Sequence, residues 1–115
     1  MAVNKDLLLV IDSSGVGDCE PDLGAKLMKA FLNVLIESDA LPARIICMAT
    51  GIFLTTEGSP VLDLMKRFED RGSVVLSCGT CLDYYRRKEK LKVGTPTNMK
   101  DTVNALLSFR QVLRP

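Results

Sequence analysis

The stretch VVLSCGTCLDYY, residues 74 to 85, holds two cysteines three positions apart, Cys78 and Cys81, behind an apolar run and ahead of the chain's only two tyrosines. Thiols at this spacing support four different roles. They can form half of a zinc site, a dithiol that closes to a disulfide, a nucleophilic thiolate with a helper, or small residues that fit a tight turn.

The remaining composition separates these roles. The sequence has no histidine, which removes every Cys-His or Ser-His nucleophile pair and every zinc site that needs imidazole. A four-thiolate zinc site would have to recruit Cys19 and Cys47, which occur singly, with Cys47 inside a predicted buried strand. These two read as small buried hydrophobes. A dithiol at a strand-to-helix junction fits thioredoxin-like chemistry, and Pro96 in GTPT offers an opposing proline. Against that reading, the pair follows the third predicted strand and no aromatic residue directly precedes Cys78.

A nucleophile needs one accessible thiolate, and an ordinary thiol with a pKa of about 8.5 is only a few per cent ionised at neutral pH. At the start of a helical turn the unpaired N–H groups favour an anion at Cys78, and Gly79 lets the backbone turn them inward. Asp83 opposes this if it points at the sulfur, while Arg86 or Arg87 assists if either folds back. Without histidine as a general base, moving sulfur between thiolates is the chemistry that asks least of the site.

Other polar loops supply candidate pocket residues. GVGDCEPDLG follows a strand and opens a helix, but Glu20 stands where a phosphate loop needs its third glycine, and Asp18 and Asp22 would repel a phosphate. Ser13 and Gly15 are therefore read as pocket-shaping, as are Thr55, Thr56 and Glu57 of TTEGSP. Gly79 and Thr80 between the cysteines, Tyr84 beside them and Asn98 of GTPTN complete the set. The residues call for no cofactor and no metal.

The elements that must position these loops follow from periodicity. DLLLVID is a continuous apolar run, as in a strand buried on both faces, and Pro21 opens a helix to about Ser38. Its stripe is carried by Leu23, Leu27, Ala30, Phe31, Val34 and Leu35, widened by Met28, Leu32 and Ile36. RIICMAT (44–50) reads as the second strand, GIFLTTEGS as a loop, and 60–69 as a helix closed by Gly72. SVVLS (73–77) is the third strand, delivering the chain to Cys78 and a helical turn through about Lys90. LKVG is a short fourth strand, Thr97 or Asn98 caps a helix to about Leu107, and RQVLR is the fifth strand.

This alternation predicts an α/β fold, three-layer α/β/α, with a mostly parallel five-stranded sheet whose long loops all fall at the carboxyl edge. At 115 residues the chain reads as one domain spanning 1–115. Net charge +1 and the absence of a long basic block argue against nucleic acid. The N-terminal apolar run is too short for a membrane span and has no cleavage signal, so a cytoplasmic protein with reduced thiols is expected. With 47% hydrophobic residues, some apolar surface is expected to meet another subunit.

Six stretches in order, LLLVIDSSGVGD, DLGAKLMKAFLNVLIE, GIFLTTEGSPVLDLMKRFEDRG, LSCGTCLDYY, EKLKVGTPTNM and VLRP, closely resemble the C-terminal DsrE-like domain of YedF-type selenium-metabolism proteins. The resemblance to the wider DsrE/DsrF-like family implies a homo-oligomer, trimer or hexamer, that relays sulfur as a persulfide on the cysteine after the third strand, here Cys78, with Cys81 as an added partner. YedF-type proteins usually carry a TusA-like domain ahead of this one. None is read in this sequence, so the expectation is that it either works alone or meets a TusA-like relay protein in trans. The resulting expectation is a carrier of sulfur or selenium, sulfurtransferase-like if catalytic. The alternative is a non-catalytic oligomeric module that binds a ligand or partner and has a redox-active CxxC.

Overall fold

The computed structural model describes residues 3–115. Five strands, β1 (Val3–Ile11), β2 (Leu41–Cys47), β3 (Val74–Cys78), β4 (Thr95–Thr97) and β5 (Gln111–Leu113), alternate with four helices, α1 (Pro21–Ile36), α2 (Leu62–Asp70), α3 (Gly79–Tyr84) and α4 (Met99–Ser108). The sheet order is β4-β3-β2-β1-β5 and every pairing is parallel. The fold is α/β with helices on both faces of an all-parallel sheet.

The sheet's position follows from β1. Leu7 to Ile11 are all buried, which only a strand covered on both faces can satisfy. Leu9 and Ile11 point into the larger core with Met28, Leu32, Ile45, Cys47, Met65, Phe68 and Leu82, whereas Leu8 and Val10 pack with Ile46 and Ala105 on the opposite side. The three connections from β1 to β4 step in one direction, so right-handed crossovers place α1, α2 and α3 on the first face. From β4 the chain steps back past the whole sheet to β5, and α4 lands alone on the second.

Local chemistry sets the helix ends. Pro21 occupies the first turn of α1, where its missing N–H has no partner to lose, and Asp22 complements the dipole. The Arg71 guanidinium donates to the Ile36 carbonyl at the other end of α1 at 2.8 Å, tying α2's exit to it. Gly72 terminates α2 with φ +107°, as its position predicts. Asn98 caps α4 by accepting from the Asp101 N–H at 2.8 Å.

Several expectations change. On α1 the buried positions are Gly24, Met28, Leu32 and Ile36; of the residues taken as its main stripe, Leu23 at 45%, Leu27 at 43% and Val34 at 72% exposed face outward, and Phe31 and Leu35 are half-buried against the core. Helical spacing alone cannot tell which of two adjacent apolar faces the sheet will take. β1 and β2 each begin three residues earlier than predicted, and Met48 to Thr50 lie outside β2. The supposed loop after β2 is largely a 3-10 turn, Ala49–Leu54. LKVG is not a strand: Gly94 takes φ +76° and β4 forms at Thr95–Thr97, where an edge position tolerates Pro96. Leu91 instead makes an isolated antiparallel bridge to Thr56. α3 ends at Tyr84 rather than near Lys90, with Arg86 left-handed at φ 57° just beyond it and a separate 3-10 turn at Lys88–Lys90. Among the described residues no helix is long and apolar enough to cross a membrane.

The 3-10 turn Ala49–Leu54 crosses the end of β1 at close range. Met48 N–H donates to the Ile11 carbonyl at 2.9 Å, and a Cβ on Gly51 would collide with that same oxygen. Gly51→Ala is therefore expected to cost about 3 kcal/mol or more, at the upper end for overpacked sites. Gly58→Ala, at φ +91° but with open space around it, should cost only about 1 kcal/mol. Urea midpoints of the two variants check the ranking.

Candidate functional site

In an open parallel sheet ligands bind outside the carboxyl ends of the strands. Here β3 leads into α3 on the first face and its neighbour, the edge strand β4, leads into α4 on the second. Cys78 is the last residue of β3 and is in register with Thr97, the last residue of β4. The dithiol thus lies on the carboxyl edge of the sheet, where β3 passes into α3.

Cys78 is only 7% exposed and also serves as the residue that caps α3, with Gly79 directly behind it against the Thr97 carbonyl. Cys81, on the first turn of α3, is half-buried, and both thiols are free. Ala49 N–H donates to Cys81 Sγ at 3.2 Å, and Ala49 holds the left-handed conformation, φ 51°, to do so. A non-glycine residue at such a φ costs of order 1 kcal/mol and marks a place where surrounding structure fixes the backbone.

Desolvation, a hydrogen bond to Cys78 and the charge of Cys78 push the Cys81 thiol above its ordinary value, partly offset by the Ala49 N–H. Cys81 is therefore held toward its protonated form. The two sulfurs are unequal in exposure, Cys81 half-buried and Cys78 buried.

The predicted pocket residues divide into groups. Gly79 and Thr80 lie with the cysteines at the start of α3, and Asn98 follows Thr97 at the end of the neighbouring strand, although its side chain is occupied in capping α4. Thr55 and Thr56 are fully buried and line no opening. Thr55 Oγ1 donates to the Ile52 carbonyl at 3.1 Å, so the Ser77 hydroxyl donates to Thr55 Oγ1 at 2.7 Å. This clasp fastens the end of β3 one residue before Cys78. Glu57 is exposed on the turn that follows, and Tyr84 projects outward at the far end of α3.

Ser13 and Gly15 belong to a separate cleft of about 410 Å³ between the loop after β1, the start of α1 and Phe53, Leu54 and Pro60. Neither Cys78 nor Cys81 lines it, and Cys19 does. Cys19 is exposed, contrary to the buried role expected of it, because its loop runs outside the α1 packing surface. Cys47 is buried as expected, and burial pushes its thiol up to about 12.

Neither Asp83, expected to oppose a thiolate, nor Arg87, expected to assist one, is directed at the sulfurs by its side-chain partners. Asp83 pairs with Lys88 at 3.7 Å, and Arg87 turns to Thr56 Oγ1 and the Glu57 carbonyl, 4.6 Å over the Phe53 ring, rather than back to the sulfurs. Among the described residues no three His, Cys, Asp or Glu side chains gather as metal ligands. Sequence reasoning missed Ala49 and Ser77 and had Thr97 only as part of a loop, where strand register puts it opposite Cys78. Nothing in MATG marks Ala49 as left-handed.

Because Cys78 is itself a cause of the raised Cys81 value, Cys78→Ala should lower it, increase the thiolate fraction and speed Cys81 alkylation several-fold at mildly alkaline pH. Cys47 should stay unlabelled in the folded protein at that pH. Peptide-resolved alkylation kinetics read both.

The chain aligns with the crystal structure of the YchN protein from E. coli over 97% of its own length and 100% of that chain, with a TM-score of 0.74 and 16% identity. MTH1491, a protein of unknown function from Methanobacterium thermoautotrophicum, aligns over 97% and 100% with a TM-score of 0.71 and 11% identity. BT1422, a conserved protein of unknown function from Bacteroides thetaiotaomicron, aligns over 96% and 95% with a TM-score of 0.65 and 14% identity. No protein-family model and no curated protein matches the sequence. At these identities the likeness fixes the fold alone, the α/β arrangement of YchN.

Proposed function

We propose that this protein carries sulfane sulfur, or selenium, on Cys78 and hands it to an acceptor. The observation that carries this reading is the placement of Cys78 on the carboxyl edge of the sheet, where β3 passes into α3, with Cys81 on the first turn of that helix and its thiol pushed above its ordinary value. The Cys78 thiolate attacks the outer sulfur of a donor persulfide. The donor S–S bond breaks, the donor thiolate leaves with the electron pair, and a Cys78 persulfide remains. An acceptor thiolate repeats the same displacement on the outer sulfur.

Cys81 supplies a second exit. Its thiolate can attack Cys78 Sγ, expelling sulfide and forming the Cys78–Cys81 disulfide, which an external dithiol then reduces. The raised Cys81 value keeps this exit slow at neutral pH and so protects the adduct. Selenium follows the same displacement with a selenol in place of the outer sulfur. The resemblance to YedF-type domains favours a link to selenium metabolism, with a TusA-like relay protein in trans as one exchange partner.

The same reading includes an assembly of several copies, trimer or hexamer. Its support is the outward apolar face of α1, where Val16, Leu27, Ala30, Phe31, Val34 and Leu35 line a shallow depression of about 460 Å³. Leu27→Glu with Val34→Glu should convert the associated species to monomer in sedimentation while leaving the far-ultraviolet spectrum unchanged.

Intact-mass analysis after exposure to a sulfane-sulfur donor tests carriage. One added sulfur is expected, lost in Cys78→Ala and kept in Cys19→Ala. Loss of the adduct as sulfide should quicken roughly tenfold per pH unit as Cys81 approaches ionisation at alkaline pH, and this pH dependence should vanish in Cys81→Ser. No adduct on reduced, folded protein would refute the proposal.

A further inference from the structure

The segment beyond α3 has no role in the sulfur chemistry, yet it concentrates charge. Arg86, Arg87, Lys88, Lys90 and Lys92 are five of the chain's 15 cationic residues within seven positions, with Glu89 the only carboxylate among them. The whole chain has a net charge of only +1, so the remainder is slightly acidic.

These cations are fixed in place. Glu57 N–H donates to the Lys90 carbonyl at 2.8 Å, and Lys92 N–H donates to the Thr55 carbonyl at 2.9 Å. Arg87 N–H reaches the Leu82 carbonyl at 2.7 Å, and its guanidinium is locked on Thr56, Glu57 and the Phe53 ring. Of the nearby carboxylates Glu57, Asp83 and Glu89, only Asp83 forms an ion pair, with Lys88. Among the described residues no carboxylate pairs with Arg86, Lys90 or Lys92. A hydrogen-bonded backbone therefore holds like charges together with only Lys88 neutralised, an arrangement that an opposite charge from outside relieves.

The platform also has an apolar anchor. Tyr84 is 79% exposed and stands edge-on to Tyr85 at 5.1 Å, which in turn leans on Phe53 at 4.8 Å. An exposed tyrosine with its ring braced beside cations is the composition of an interface centre. Its distance from the chemistry is small: α3 has six residues, about 9 Å of helix, between the dithiol and this surface. A standard protein interface, about 800 Å² on each partner and roughly 30 Å across, covers both.

We infer that the surface formed by Tyr84, Tyr85, Arg86, Lys88, Lys90 and Lys92 docks an acidic protein partner that exchanges persulfide with the adjacent dithiol. The partner presents its own persulfide or thiol amid Asp and Glu side chains. Electrostatic steering raises the encounter rate, and Tyr84 supplies the buried contact. The inference rests on the carriage reading above and names the chemistry of its partner. In the loading direction the partner's S–S bond breaks, its thiolate departs, and the new S–S bond forms on Cys78, so no outside oxidant or reductant is consumed.

Two cysteine-persulfide peptides of equal length, one flanked by Asp and Glu and the other by Lys, serve as probes, with neutral N-acetylcysteine amide persulfide as reference. The acidic peptide should load Cys78 about tenfold faster than the basic one at low ionic strength, and high salt should erase the difference. Lys90→Glu with Lys92→Glu should abolish or reverse the preference without changing loading from the neutral donor, and Tyr84→Ala should raise the acidic peptide's half-saturating concentration. Equal rates for the two peptides, with normal loading from the neutral donor, would overturn the docking inference alone. If no donor loads, the carriage reading fails instead. Docking is then read from direct binding of an acidic peptide with Ser in place of its Cys, and absence of that binding overturns it. Tighter retention of a single-stranded oligonucleotide than of the acidic peptide at physiological salt would reassign the surface to nucleic acid.

Discussion

The approach of Gly51 to the Ile11 carbonyl is the contact on which the rest of the site depends. Only a residue without Cβ lets the chain leaving β2 cross the end of β1 so closely. That crossing brings Thr50 Oγ1 to the Ser14 N–H at 3.1 Å, aims the Ala49 N–H at Cys81 and sets Thr55 against Ser77. One steric allowance thus positions a donor at one sulfur and fastens the strand that carries the other. The strain at Ala49 is confined to the same few residues, which hydrogen bonds hold on both sides.

The second determinant is the change of direction after β4. Four strands laid down in order would give a sheet covered on one face only, leaving Leu8, Val10 and Ile46 in water. The return to β5 along the far edge supplies α4 as their cover. The same return sends the helices after β3 and β4 to opposite faces, and the dithiol sits at the end of the strand just before that change.

Much of this was legible in the sequence because burial on both faces and helix punctuation leave strong marks. DLLLVID, Pro21, Gly72 and Asn98 each announce a local structure that formed. What was not legible depended on partners distant in the chain. The outward turn of Leu23, Leu27 and Val34 was decided by which side of α1 met the sheet, a choice two adjacent apolar stripes leave open. LKVG has the composition of a strand, but Gly94 must turn where a side chain would strike the Val75 carbonyl, so pairing waits until Thr95. Thr55 and Thr56 are polar residues in a polar stretch, and only their burial against Ser77 and Arg87 turns them from apparent pocket lining into fasteners. Cys78 was found by its spacing, whereas its near-complete burial follows from its being the final residue of β3 rather than the first of a loop.

The cover on the second face is thin. α4 has ten residues, of which only Thr102 and Ala105 are buried, and it is flanked in sequence by the three-residue edge strands β4 and β5. Segments with so few apolar contacts open at a lower free energy than the core and do so as a unit. Thr97, the register partner of Cys78, belongs to that unit. The flank of a sulfur only 7% exposed is therefore formed by the least deeply packed part of the fold, and amide exchange across β4 and α4 should register any opening there.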